Sequence, residues 1–125
     1  MLDEAYDLVV KFYSLLKEGN YAAIPALMDE TLLERTAADQ LIQIFRSKME
    51  ESGQLMTHKM EKVIGSQTNN GLNLAKALFT VDYWKKGQIF EYFEMVYLDN
   101  QYKIYMYEYS PKRSSVAKDL DSYLV

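Results

Sequence analysis

Along residues 3–18, DEAYDLVVKFYSLLKE, apolar side chains fall at Ala5, Leu8, Val9, Phe12, Leu15 and Leu16. That spacing draws one stripe along a helix. Acids at the start suit the helix dipole, and Gly19-Asn20 supplies a stop. The next segment, YAAIPALM, has room only for a short helix, because Pro25 lacks the N–H an interior turn requires. A third helix follows, with Thr36 and Asp39 spaced as a capping box, an apolar stripe of Ala38, Leu41, Ile42, Phe45 and Met49, and Gly53 at its end.

Beyond about residue 54 the period changes from 3.6 to 2. Strands are predicted near 57–67, 73–85, 88–98 and 101–110, separated by Asn70-Gly71, Lys86-Gly87 and Asp99-Asn100. Helices first and an antiparallel four-stranded meander second define an α+β layout. Residues 1–110 read as one domain, and 111–125, which open on a helix-hostile Ser-Pro, as a tail with room for a terminal turn or short helix.

Two-residue turns would fix the register, pairing Ile64 with Ala77, Val81 with Tyr92 and Glu94 with Tyr105. One face then carries His58, Met60, Lys62, Ile64, Ala77, Phe79, Val81 and Tyr83, with Phe90, Tyr92, Glu94, Val96, Lys103, Tyr105, Tyr107 and Tyr109. Having fewer charges, it is expected beneath the helices, with His58, Tyr83, Tyr92, Glu94, Tyr105 and Tyr107 as pocket candidates. The other face gathers Phe93, Met95, Tyr97, Tyr102, Ile104 and Met106. A block that apolar seldom faces water, so it is expected to meet a second copy of the chain. A single β-bulge would exchange part of these lists.

Composition narrows the function. The chain has 125 residues, 11 Tyr, one His, no Cys and a net charge of −4. One core is the expectation at this length. The acidic balance, with no basic run beyond Lys112-Arg113, opposes nucleic-acid binding. Without cysteine there is no disulfide, thiol nucleophile or zinc–thiolate site. No segment has the length or purity of a membrane span, and residues 1–20 lack the pattern of a signal peptide. A soluble protein is expected, cytoplasmic or exported on a signal lying upstream.

Each chemical candidate has a plainer alternative. His58 suits a general base or ligand, and equally a strand-end histidine. No second His and no Cys completes a ligand set, so no metal or cofactor is expected. Glu94, between rings, would be a proton-transfer carboxyl if desolvated, with Tyr92, Tyr105 and Tyr107 as hydrogen-bonding neighbours; the alternative is a cross-strand ion pair with Lys103. Lys59, Asp82, Glu91 and Glu108 would form one row across the sheet, either a cation site or a solvated rim, the rim being the commoner outcome.

The opening AYDLVVKFYSLLKEGNYAAIPALM and the strands ending YFEMVYLDNQYKIYMYEY together resemble the cone-shaped superfamily of nuclear transport factor 2, ketosteroid isomerase and scytalone dehydratase. The start, of the form FYxLLKxGxYxAIxxLM with a G-N-Y turn, is similar to small bacterial members of unknown function. The resemblance spans residues 3–110. It implies a pocket between helices and concave sheet, and a homodimer through the sheet's outer face. Enzymes of the superfamily use Asp, His and Tyr in that pocket, and no matching Asp-His or Tyr-Asp-Asp set aligns here. The leading expectation is therefore a non-enzymatic domain binding a small apolar or aromatic ligand or a protein partner. A structural dimerisation module comes second. An isomerase or dehydratase using Glu94 or Asp82 with a tyrosine comes third.

Overall fold

A computed structural model describes residues 2–121 of the chain, so the last four positions of the expected tail lie outside it. Helix α1, Leu2–Glu18, is followed by a short 3-10 helix, Tyr21–Leu27, then α2, Glu30–Arg35, and α3, Ala38–Ser52. Strands β1, Leu55–Gln67, β2, Asn73–Tyr83, β3, Gly87–Leu98, and β4, Gln101–Ser110, form one antiparallel sheet in the order β1-β2-β3-β4. Helix α4, Arg113–Asp121, closes the described chain.

Pro25 confines its segment to a single tight helix, after which Asp29 caps α2 by accepting from the Thr31 N–H at 3.1 Å. The exit from the 3-10 helix is tied to the sheet, since the Asp29 N–H donates to the Ile104 carbonyl at 2.7 Å. Thr36 does not open α3 as a capping box. Its N–H bonds back to the Leu32 carbonyl at 2.9 Å, which makes it the end of α2, and Gln40 instead accepts from the Ala37 N–H.

The main core lies between the helices and one face of the sheet. Ala5, Val9, Phe12, Tyr13 and Leu16 of α1 and Leu41, Phe45 and Met49 of α3 meet Ala75, Ala77, Phe79, Val81 and Tyr83 of β2 and Ile89, Phe93 and Met95 of β3. Its centre is a ring cluster. Phe12, Phe45, Phe93 and Tyr107 lie 5.1–5.5 Å apart, and Tyr13 and Phe79 join them through Phe93 at 5.8 Å. Edge-to-face pairs of this kind contribute about 0.5–1.5 kcal/mol each beyond their buried area.

The sheet register departs from the expected one at β3. Its hairpin is closed by Tyr83 and Gly87 around three residues, Trp84, Lys85 and Lys86, and not by Lys85 and Gln88 around two. Gly87 sits at φ 74°, where a side chain is disfavoured. The difference displaces β3 by an odd number of residues, and alternation then exchanges its faces. Phe93, Met95 and Tyr97 turn under the helices, while Phe90, Tyr92, Glu94 and Val96 turn outward.

Besides a shift at the start of β1 between Leu55 and Thr57, two bulges adjust the flanking strands, one in β1 between Met60 and Lys62 and one in β4 around Tyr105. The first turns Lys62 and Ile64 outward; the second returns Tyr107 and Tyr109 to the helix side. The Asp99-Asn100 turn is the two-residue hairpin expected, with φ of 51° and 64°.

The three-residue turn is held from outside the hairpin. The Lys85 and Lys86 N–H groups donate to the Ser52 carbonyl at 2.9 and 3.1 Å, and the Trp84 N–H to the Gln54 carbonyl at 2.8 Å. A carbonyl at the end of α3 that would otherwise lack a partner is satisfied by the turn. Gly53 permits the approach: a Cβ there would stand 2.8 Å from the Lys85 nitrogen.

On the outer face α4 lays Val116, Ala117 and Leu120 over Leu78 and Tyr92, with Ile64, Phe90 and Met106 at the margin. Arg113 fastens its start to Glu61 at 2.6 Å.

Candidate functional site

At one end of the ring cluster the helix-facing core becomes polar. Glu91 of β3, Tyr83 of β2, Lys48 of α3 and Tyr13 of α1 converge there. The Tyr13 hydroxyl donates to Glu91 Oε1 at 2.9 Å, and the Tyr83 hydroxyl to Glu91 Oε2 at 2.6 Å. Lys48 Nζ donates to Glu91 Oε2 at 2.9 Å and to the Tyr83 oxygen at 2.7 Å. Its ammonium also lies over the rings of Tyr83 and Tyr109. The Glu91 side chain has no exposed surface and that of Lys48 only 3%, so both charges depend on one another and on the phenols for the solvation they gave up.

The electrostatics follow from that burial. Tyr13, Tyr83 and Tyr107 hold their protons well above the ordinary phenol value, first because burial penalises a phenolate and then because the Glu91 carboxylate repels one. The hydroxyl of Tyr107 is buried and meets no partner at hydrogen-bonding geometry. His58 stacks on Tyr13 with ring centres 4.7 Å apart, and its Nδ1 is likewise buried without a partner. Desolvation, and secondarily the Lys17 charge, hold the imidazole below its ordinary value.

Of the pocket candidates read from the sequence, His58, Tyr83 and Tyr107 do lie on the helix side. Tyr92, Glu94 and Tyr105 lie on the outer face, carried there by the β3 register and the β4 bulge. Two of the three expected phenols, Tyr92 and Tyr105, donate to the Glu94 carboxylate at 2.5 Å, away from the helices, and Tyr107 does not join them. The interface candidates Phe93, Met95, Tyr97, Tyr102 and Ile104 pack in or against the main core, and Met106 lies at the margin of α4. Phe93, Met95, Tyr102 and Ile104 are buried within the single chain, and Tyr97 is half-buried. The row of Lys59, Asp82, Glu91 and Glu108 is broken, because Glu91 points the opposite way. Among the described residues no group of three or more His, Cys, Asp or Glu could hold a metal ion.

Tyr13 and Lys48 were not singled out from the sequence, and Glu91 was placed only in the expected row with Lys59, Asp82 and Glu108. A signal existed for Lys48: it stands three residues after Phe45 and seven after Leu41, inside the apolar stripe of its own helix. Glu91 alternates with Ile89 and Phe93, which marks its face only once the hairpin register is known.

A groove of about 380 Å³ opens between α2, α3 and β4. Leu32, Leu41, Ile44 and Phe45 line it from the helices and Tyr105, Met106, Tyr107 and Tyr109 from β4, with Arg35 and Glu108 also lining it. Glu91 does not line this groove. Tyr107, with its half-buried ring in the groove wall and its hydroxyl beside the polar cluster, lies between the two.

No protein-family model matches the sequence, and no curated protein matches it. Solved structures do match in fold. A candidate NTF2-like transpeptidase from Campylobacter jejuni is 15% identical with a TM-score of 0.61, covering 82% of this chain and 97% of its own. The Aln2 protein of a Streptomyces species is 10% identical with a TM-score of 0.60, covering 99% and 95%. A candidate dehydratase of the NTF2-like family from Streptomyces avermitilis is 11% identical with a TM-score of 0.56, covering 88% and 94%. The chain therefore has the nuclear transport factor 2-like fold, an α+β cone.

Proposed function

We propose that this nuclear transport factor 2-like chain is a non-enzymatic binding domain that takes a small apolar or aromatic ligand in the groove between α2, α3 and β4. One observation carries the reading. The acid inside the cone is engaged in structure: Glu91 accepts from Tyr13, Tyr83 and Lys48, and rings fill the space around it. A general base needs a reacting atom within hydrogen-bond reach, and here that reach is taken by protein. The groove, by contrast, is open, apolar and within the size range of small-ligand sites.

A thermal-shift screen with apolar and aromatic compounds tests the reading, since a ligand binding only the native state raises the melting temperature. Hits that vanish in Ile44→Glu, which puts a charge in the groove wall, support it. An absence of hits across the library removes the ligand.

A second reading is an isomerase- or dehydratase-type enzyme, favoured by the carboxylate–phenol set of Glu91, Tyr13 and Tyr83 and by the placement of Tyr107 between that set and the groove. Exchange of solvent deuterium into carbonyl compounds at the carbon beside the carbonyl, lost in Glu91→Gln, would displace the binding reading. A homodimer through the outer face belongs to the proposal only for the surface that α4 leaves uncovered. Sedimentation over a concentration series tests it, and a monomeric boundary throughout removes it.

A further inference from the structure

The geometry points to the class of ligand the groove selects: a molecule with an apolar body and a single carboxylate head, held at Arg35. The inference rests on the binding reading above and adds the head group to it.

Arg35 stands in the last turn of α2 and lines the groove. Two backbone carbonyls fix its guanidinium, that of Thr31 accepting from Nε at 3.3 Å and that of Tyr105 accepting from Nη2 at 3.0 Å. The second bond crosses from the helix wall to the strand wall. Carbonyls orient a guanidinium without neutralising it, and Arg35 forms no ion pair with a carboxylate among the described residues. Glu108 lines the same groove and forms no ion pair with Arg35. The result is a held cation, with further N–H donors to offer, beside the apolar Leu32, Leu41, Ile44 and Phe45.

A planar fork of N–H donors matches a carboxylate. The neighbouring apolar wall calls for a hydrocarbon or aromatic body on the same molecule. Glu108 acts as a filter, since a second negative group placed near it would be repelled. A monocarboxylate with an alkyl or aryl tail meets all three conditions. A long uncharged molecule meets only the apolar one, and a short carboxylate only the ionic one.

Titrating the full chain with decanoate, decanol and butyrate, followed by calorimetry and by amide shifts of groove residues, tests the inference. Decanoate is expected to bind at least roughly tenfold more tightly than either of the others, the scale of one charge-assisted contact. Arg35→Gln should bring decanoate down to the affinity of decanol, and Arg35→Lys should recover part of the difference. Ile44→Glu should abolish binding of both long molecules while leaving Arg35 in place.

Equal affinity for decanoate and decanol, or an unchanged preference in Arg35→Gln, overturns the head-group inference and leaves the groove reading standing. Failure of both long molecules to bind overturns the two together. A peptide ending in a free carboxylate that outcompetes decanoate at the same residues would replace the small molecule with a chain terminus, and so also overturns the inference as stated.

Discussion

Glu91 and Glu94 stand three residues apart on one strand, and both are buried carboxylates that accept from two phenols. They face opposite ways. Glu91 points under the helices, where Lys48 completes an ion pair with almost no exposed surface. Glu94 points to the outer face, where its phenols come from β3 and from the bulge of β4, and Tyr105 is only part-buried. Similar ligation thus serves different ends. The inner acid binds helices α1 and α3 to the sheet through Tyr13 and Lys48, whereas the outer acid binds two neighbouring strands to each other. An acid tied to distant elements supports the whole fold; one tied to adjacent strands supports its locality.

The sharpest way to break this comparison is to change the parity that created it. Deleting Gln88 keeps the three-residue turn and moves the rest of β3 by one residue, which would set Glu94 opposite Ala77 and drive it inward with Phe93 outward. We expect cooperative folding to be lost, a penalty on the order of the whole stability of a domain, about 5–15 kcal/mol. Circular dichroism on heating reads the result, and a melt like that of the parent chain would end the parity argument.

Next in size is Lys48→Met, which strands the Glu91 carboxylate without its cation. Breaking one side of a buried pair costs about 3–5 kcal/mol. Urea denaturation should show that loss, and the double variant Lys48→Met with Glu91→Leu should recover most of it, because no unpaired charge remains.

Removing single phenols separates the two acids more gently. Tyr83→Phe takes a donor from the buried cluster and leaves both Lys48 and Glu91 short, at about 1–3 kcal/mol. Tyr105→Phe acts on a part-buried bond that water can replace, at about 0.5–1.5 kcal/mol. Equal losses would show that burial depth does not distinguish the two clusters.

The smallest effects come with pH. His58 is held below its ordinary value of 6.5, so the unfolded chain binds its proton first as pH falls. Its contribution is whole above 6.5 and is lost as pH descends through the folded value. Comparing His58→Gln with the parent from about pH 7.5 downward should show a shallower decline in the variant. Tyr13, Tyr83 and Tyr107 behave in the opposite sense. Their raised values mean that the unfolded chain releases protons first above about pH 10, and stability falls from there. A phenolate titration by ultraviolet absorbance should find these three silent until the chain unfolds.

How far the site was legible follows from where its determinants lie. The constellation of Tyr92, Glu94 and Tyr105 could be read because all three sit on adjoining strands joined by the two-residue Asp99-Asn100 turn, a local signal. The inner cluster could not be assembled that way. It joins α1, α3, β2 and β3, and nothing local ties Tyr13 to Glu91.

The chain's own pattern determined the periods, the order of helices and strands, and the antiparallel meander, because hydrophobic spacing and turn chemistry act between near neighbours. Which face of β3 met the helices was decided only in three dimensions. Its hairpin directs its N–H groups to carbonyls at and beyond the end of α3, across a gap that Gly53 keeps clear. Two turns of nearly equal local standing were separated by a contact more than thirty residues away along the chain, and from that choice came the acid that fills the cone.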